Sequence, residues 1–169
     1  SDTLGSRNTA IGTFTLQTQN FTTATNSYNT AVGYNAGSAV TTGQNNVLIG
    51  GLAGDALTAV NDNVVVGTGA LTTDTMGSGT VAIGRQVLQT QNFTTATTTY
   101  NTAVGYQTGL AVTTGLYNTL IGGLSGDAYD ALVSQHDAST HRLDVSAHEE
   151  IFLVDILELL GAFANVTSL

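Results

Sequence analysis

Short segments of alternating apolar and polar residues recur along the chain, each ending in a glycine. The first is NTAIG at residues 8–12, and it returns as NTAVG (29–33), NVLIG (46–50), NVVVG (63–67), TVAIG (80–84), NTAVG (101–105) and NTLIG (118–122). Each predicts a short β-strand, because small and β-branched apolar residues stand between a turn-forming Asn and a Gly. The intervals between successive motif glycines, from Gly12 through Gly33, Gly50, Gly67, Gly84 and Gly105 to Gly122, run 21, 17, 17, 17, 21 and 17. A strand and a turn repeated in that way predict a solenoid, in which every coil stacks on the one before and needs the same residue at the same corner.

The spacing pattern starts again at Gly84, as if from Gly12. Residues 16–58 align without a gap on residues 88–130 and match at 32 of 43 positions. Duplication of a four-coil cassette is the simplest origin, with cassettes at about 12–83 and 84–130. Both of the longer intervals carry LQTQNFTTAT (16–25 and 88–97), so this polar stretch is predicted to bulge from the coil at equivalent places.

Within a coil, the residue before the glycine is always β-branched: Ile11, Val32, Ile49, Val66, Ile83, Val104, Ile121. It is expected to face inward and pack on its copy in the next coil. Four residues before the glycine stand Asn8, Asn29, Asn46, Asn63, Thr80, Asn101 and Asn118, placed to form a hydrogen-bonded ladder or to close a turn. The glycine supplies either positive φ or close approach of a neighbouring backbone. A second register, four residues after it, reads Leu16, Gly37, Gly54, Leu71, Leu88, Gly109, Gly126 and predicts a second short strand and corner. The fold expected is all-β: a parallel β-solenoid (β-roll or β-helix) of about seven coils over residues 1–130. Coils this short have thin interiors, so association into a trimer is expected to cover the remaining apolar face.

Composition narrows the function classes. Charged residues are 9% of the chain, Lys is absent, and the net charge is −9. Such a surface repels nucleic acid phosphates and anionic lipid, which argues against both as partners. The chain has no Cys and so neither disulfides nor thiolate metal sites, and no Pro to interrupt a backbone ladder. No run reaches the ~20 apolar residues that span a bilayer, and no basic segment precedes an apolar one at the N-terminus in the manner of a signal peptide.

After residue 130 the repeat stops. Ser146 and Glu149 form a capping-box pattern ahead of EEIFLVDILELLGAF, which predicts a helix of about four turns. Leu153, Ile156, Leu160 and Phe163 follow coiled-coil spacing, and Ile151 and Leu157 widen the stripe. Residues 131–169 are therefore expected to cap the solenoid, to trimerise, or to dock on another protein.

No constellation of catalytic residues emerges. His136, Asp137, His141, Asp144 and His148 are chemically suited to zinc or iron but lack metal-site spacing, so hydrogen-bonding or solvated roles are favoured. Asp55 and Asp127 occupy equivalent GDA turns, about 19 Å apart by the coil rise, too far for paired acid–base work. GGLAG and GGLSG lack the lysine of a phosphate loop. Tyr34, Tyr106 and Tyr117, with Tyr28, Tyr100, Phe21 and Phe93, are candidates for a sugar-stacking receptor surface or for packing between subunits. Asn20, Asn92 and Asn165 stand in glycosylation sequons. Thr-rich coils also suggest an ice-binding face, but Val47, Val64 and Val81 interrupt the array three residues before the glycine.

The run YNTAVGYNAGSAVTTGQNNVLIGGLAG (28–54) resembles repeats of bacteriophage tail-fibre proteins and is similar to those in the heads of trimeric autotransporter adhesins. The resemblance covers about residues 4–130. It implies a homotrimeric parallel β-structure exposed on a virion or cell surface. Neither the chaperone domain of phage fibres nor the β-barrel anchor and stalk of the adhesins is present in these residues. The expectation is therefore a non-enzymatic structural protein on the surface of a phage virion, without cofactor or metal. It would be a capsid decoration or cement protein bound to the major capsid protein, or a short fibre bound to tail components. The alternative is a module that binds a host glycan.

Overall fold

A computed structural model describes residues 4–126 and 142–144. They form an all-β parallel solenoid of about seven coils, with no helix among the described residues. Each motif contributes one short strand: β2 (Thr9–Ile11), β4 (Thr30–Val32), β5 (Val47–Ile49), β6 (Val64–Val66), β8 (Val81–Ile83), β10 (Thr102–Val104) and β11 (Asn118–Ile121). An eighth, β12 (Arg142–Asp144), joins from the segment that follows the repeats. Together they make one parallel sheet in the order β12-β11-β10-β8-β6-β5-β4-β2.

Register is set by the motif, not by coil length. Thr30 pairs with Val47 across a shorter interval and Thr9 pairs with Thr30 across a longer one, in the same alignment. The four extra residues of the longer coils are extruded as bulges. Phe21 and Phe93 tuck under them, and residues 22–24 and 94–96 are exposed. Each bulge is followed by a two-residue strand, β3 (Thr25–Asn26) or β9 (Thr97–Thr98), paired with β1 (Gly5–Ser6) or β7 (Gly77–Ser78).

The core is a set of columns running along the rod. The middle strand residues Ala31, Leu48, Val65, Ala82, Ala103 and Leu120 point inward and are buried. The register four residues after the glycine is a corner and not the second strand expected: its residues all have positive φ, from 47° at Leu16 and Leu88 to 75° at Gly126. A left-handed Leu costs roughly 1–2 kcal/mol, and Leu16, Leu71 and Leu88 offset this by burying their side chains in the core. Where the corner is glycine, the strand residue fills the space: a Cβ at Gly37 or Gly54 would collide with a methyl group of Leu48.

The residue before the motif glycine does not face inward. Strand side chains alternate, so once the middle residue is inside, its neighbours are outside. Ile11 is 60% exposed and Ile121 47% exposed. The β-branched signal marked a sheet face, but the outer one. The motif glycine itself does both jobs left open by the sequence. Gly33 has φ 140°, and a Cβ there would fall 2.5 Å from the carbonyl oxygen of Gly50.

Candidate functional surface

Inside the rod, the Asn column is a ladder. Asn46 donates from its backbone N–H and from Nδ2 to Asn29 Oδ1, and Nδ2 also donates to the Val60 carbonyl at 2.9 Å. Asn63 repeats this on Asn46 and Gly77, and Asn118 donates in the same two ways to Asn101. Asn8 begins the series, its Oδ1 accepting the backbone N–H of Asn29. Asn8, Asn29, Asn46 and Asn63 thus stand in one continuous hydrogen-bonded column, and Asn101 and Asn118 in a second.

The ladder is interrupted at Thr80, where a polar cluster replaces the missing amide. Gln91, buried in the second bulged coil, accepts from Asn101 Nδ2 and donates to Asp74 Oδ2 and Thr80 Oγ1. Asp74 Oδ1 accepts the backbone N–H groups of Gly77 and Phe93 at 3.0 and 3.1 Å. A fully buried carboxylate is tolerated here because both of its oxygens meet proton donors. Such saturation describes an internal brace.

Outside, the seven repeat strands present two columns of β-branched residues and no charge: Thr9, Thr30, Val47, Val64, Val81, Thr102 and Thr119 beside Ile11, Val32, Ile49, Val66, Ile83, Val104 and Ile121. Corners flank it on both sides. One corner column runs Arg7, Tyr28, Asn45, Asp62, Gly79, Tyr100, Tyr117, all with positive φ. The opposite flank carries Phe14, Tyr34, Leu52, Arg85, Tyr106 and Leu124. Every exposed large apolar or aromatic side chain among the described residues lies on this face and its flanks, Leu4 excepted.

The aromatics pair between adjacent coils. Tyr100 and Tyr117 stack with centroids 5.3 Å apart and planes 18° apart, and Phe14 meets Tyr34 edge-on at 6.1 Å. Arg7 donates to the Tyr28 hydroxyl at 2.6 Å and Arg85 to that of Tyr106 at 3.0 Å, each guanidinium also lying over the ring. Of the candidate receptor residues, Tyr34 and Tyr106 are exposed, and Tyr117 is half-buried under Tyr100. Tyr34 and Tyr106 sit on one flank of the sheet and Tyr117 on the other.

Asp55 lies in a turn, as its GDA context implies, but Oδ1 is buried without a hydrogen-bond partner. Burial pushes its carboxyl above the ordinary value, with the backbone amides of Asp55 and Ala56 working against the rise. Asp127, the His136–His148 cluster and the helical stripe of Ile151, Leu153, Ile156, Leu157, Leu160 and Phe163 lie outside the described residues. Among the described residues no group of three His, Asp or Glu is placed to hold a metal ion.

Sequence reasoning did not foresee the Asp74–Gln91 brace or the Arg–Tyr pairs. The brace had a signal: Gln19 and Gln91 are the same residue of the duplicated cassette, and polar residues kept inside a bulge imply a buried partner. Compared with protein-family models, with curated proteins and with solved structures, the chain finds no match.

Proposed function

We propose that this chain is a non-enzymatic structural protein of a phage virion surface, a homotrimer whose solenoids turn their apolar sheet faces toward one another. The observation that carries this reading is the outer sheet face of the repeat strands, where the exposed Ile11, Ile49, Ile83 and Ile121 form one apolar column along the rod without a charged neighbour in the strands. A contiguous apolar patch of that extent marks an association surface. The tail-fibre and adhesin resemblance supports the same assembly. The C-terminal stripe of Ile151, Leu153, Ile156, Leu157, Leu160 and Phe163 adds a helical trimerisation or attachment element. On the virion, the trimer decorates the capsid lattice or serves as a short fibre, and its work is mechanical: stacked strands and the buried Asn ladder make a stiff body.

A glycan-binding reading is favoured by one observation, the exposed stack of Tyr100 on Tyr117, which offers a flat aromatic face to a sugar ring. The two readings separate by experiment. Sedimentation equilibrium of the purified chain should give three times its 17.3 kDa mass. Cryo-electron microscopy of particles carrying it should place trimers on the capsid or tail. A monomer that binds no virion component would overturn the proposal, and glycan binding abolished by Tyr100→Ala would establish the alternative.

A further inference from the structure

We propose that the gap over Gly79 is a binding site for a guanidinium group, an arginine side chain of a docking polypeptide, held between the ring of Tyr100 and the carboxylate of Asp62. The two cassettes differ at this corner. Arg7 and Tyr28 of the first recur, 72 residues on, as Gly79 and Tyr100. The backbone is the same: φ is 62° at Arg7 and 70° at Gly79, and 51° at both tyrosines. In the first cassette Arg7 donates to the Tyr28 hydroxyl at 2.6 Å, with its guanidinium carbon 5.4 Å from the ring centre. In the second, glycine leaves that layer without a side chain. Tyr100 is 59% exposed against 48% for Tyr28, although Tyr117 stacks on its other side. The opposite flank repeats the contact: Arg85 donates to the Tyr106 hydroxyl at 3.0 Å, its guanidinium carbon 5.6 Å from the ring centre. An arginine thus lies on the tyrosine of the next coil in both places where the two side chains are present.

The surroundings select the same group. Tyr100 and Tyr117 have centroids 5.3 Å apart and planes 18° apart, so they meet face to face and the free face of Tyr100 turns toward the coil of Gly79. Beyond that layer stands Asp62, one coil before Gly79 in the same corner column. It is exposed, and its Oδ1 accepts Asn45 Nδ2 at 3.1 Å. Coils stack at roughly 4.8 Å, so the space between Asp62 and Tyr100 takes one planar group. A guanidinium is planar, stacks on aromatic faces and forks onto carboxylates. The ring quadrupole attracts the cation, and the net charge of −9 favours the approach of a basic segment. A sugar ring has no such precedent in the molecule and makes no use of the attraction between a cation and a ring. Packing does not impose the glycine: a Cβ at Gly79 would meet only Thr98 Cγ2, at 3.4 Å.

The test uses the full chain with isotope-labelled tyrosines and N-acetylarginine amide as the probe. In nuclear magnetic resonance spectra the Tyr100 ring signals should shift and saturate in the millimolar range. Those of Tyr28 should stay, because Arg7 already covers that ring. N-acetylcitrulline amide, of the same shape without the charge, should shift neither. Asp62→Asn should weaken binding about two- to fivefold, as loss of an exposed charge pair does. Gly79→Arg brings the guanidinium in on the chain itself and removes any dependence on affinity. A nuclear Overhauser contact between the introduced side chain and Tyr100 is expected, with loss of the response to the probe. A Tyr100 ring indifferent to the arginine compound, or moved equally by the citrulline one, would overturn the site, as would a folded Gly79→Arg protein without that contact. A response to methyl glucoside in place of arginine would overturn it in favour of a sugar. The source of the arginine is read without the probe. Tyr100 signals that move with protein concentration until Arg142→Gln stops them identify a second copy, and signals indifferent to concentration leave the arginine to a separate protein.

Discussion

Asn46 places two proton donors, its backbone N–H and its Nδ2, on the single Oδ1 of Asn29, at 2.9 and 3.1 Å. Both residues are fully buried. Asn46→Leu keeps the branching of the side chain but strands the Val60 carbonyl and the two donors of Asn63 that bond to Asn46. Unpaired buried polar groups are costly, so a loss of about 2–4 kcal/mol is expected. Urea unfolding followed by circular dichroism measures it.

Adjacent coils touch closest at the motif glycines. Gly67 has φ 140°, and any Cβ there meets the Gly84 carbonyl. Gly67→Ala is expected to cost upwards of about 3 kcal/mol, combining backbone strain with a collision between main chains. Gly51 has ordinary φ and open space, with Thr68 Cγ2 4.0 Å away. Gly51→Ala should change stability by less than about 0.5 kcal/mol. Thermal melts of the two variants side by side decide the matter.

Neighbouring strand positions should separate assembly from folding. Ile83 is 37% exposed on the outer face and Ala82 is fully buried. Ile83→Asp is expected to leave the far-ultraviolet spectrum intact while shifting the sedimentation mass from trimer to monomer. Ala82→Asp should abolish the folded spectrum, since it buries a carboxylate without partners. A trimer that survives Ile83→Asp would remove the sheet face from the interface.

The Asp55 carboxyl has its folded pKa above the ordinary 3.8, chiefly through burial. Charging it therefore disfavours the folded state, and this penalty is absent below the unfolded pKa and complete above the folded one. Asp55→Asn should stabilise the protein at pH 7, by less than about 1 kcal/mol because water screens a half-exposed group. The gain should vanish below pH 3.8. Melting temperatures of both proteins from pH 3 to 7 would show it.

Much of the architecture was legible because one repeat determines it. The coil number, parallel pairing, bulges and Asn ladder all follow from the interval between the motif glycines and from LQTQNFTTAT. The facing of Ile11 and its equivalents was not legible, because β-branched residues suit either side of a sheet. Only the buried small residue between them, such as Ala31 or Ala82, reveals which side is inside. Leu16 and Leu88 were misread as strand residues because a left-handed leucine has no signature in a single coil. The Asp74–Gln91 brace depends on where a bulge folds back, and the spacing alone does not encode that. On the outer face, β-branched columns were visible in sequence, but the flanking tyrosines fall on separate corners that periodicity did not distinguish.

The bulged coils have a practical consequence. Thr9 and Thr30 meet in the same register as Thr30 and Val47, although four more residues intervene. The framework thus tolerates extra chain at this corner, and the exposed tips at residues 22–24 and 94–96 sit four coils apart on the same side. A foreign epitope grafted at each tip would be displayed twice per chain at a fixed separation, turning the solenoid into a presentation scaffold for antigens or affinity tags.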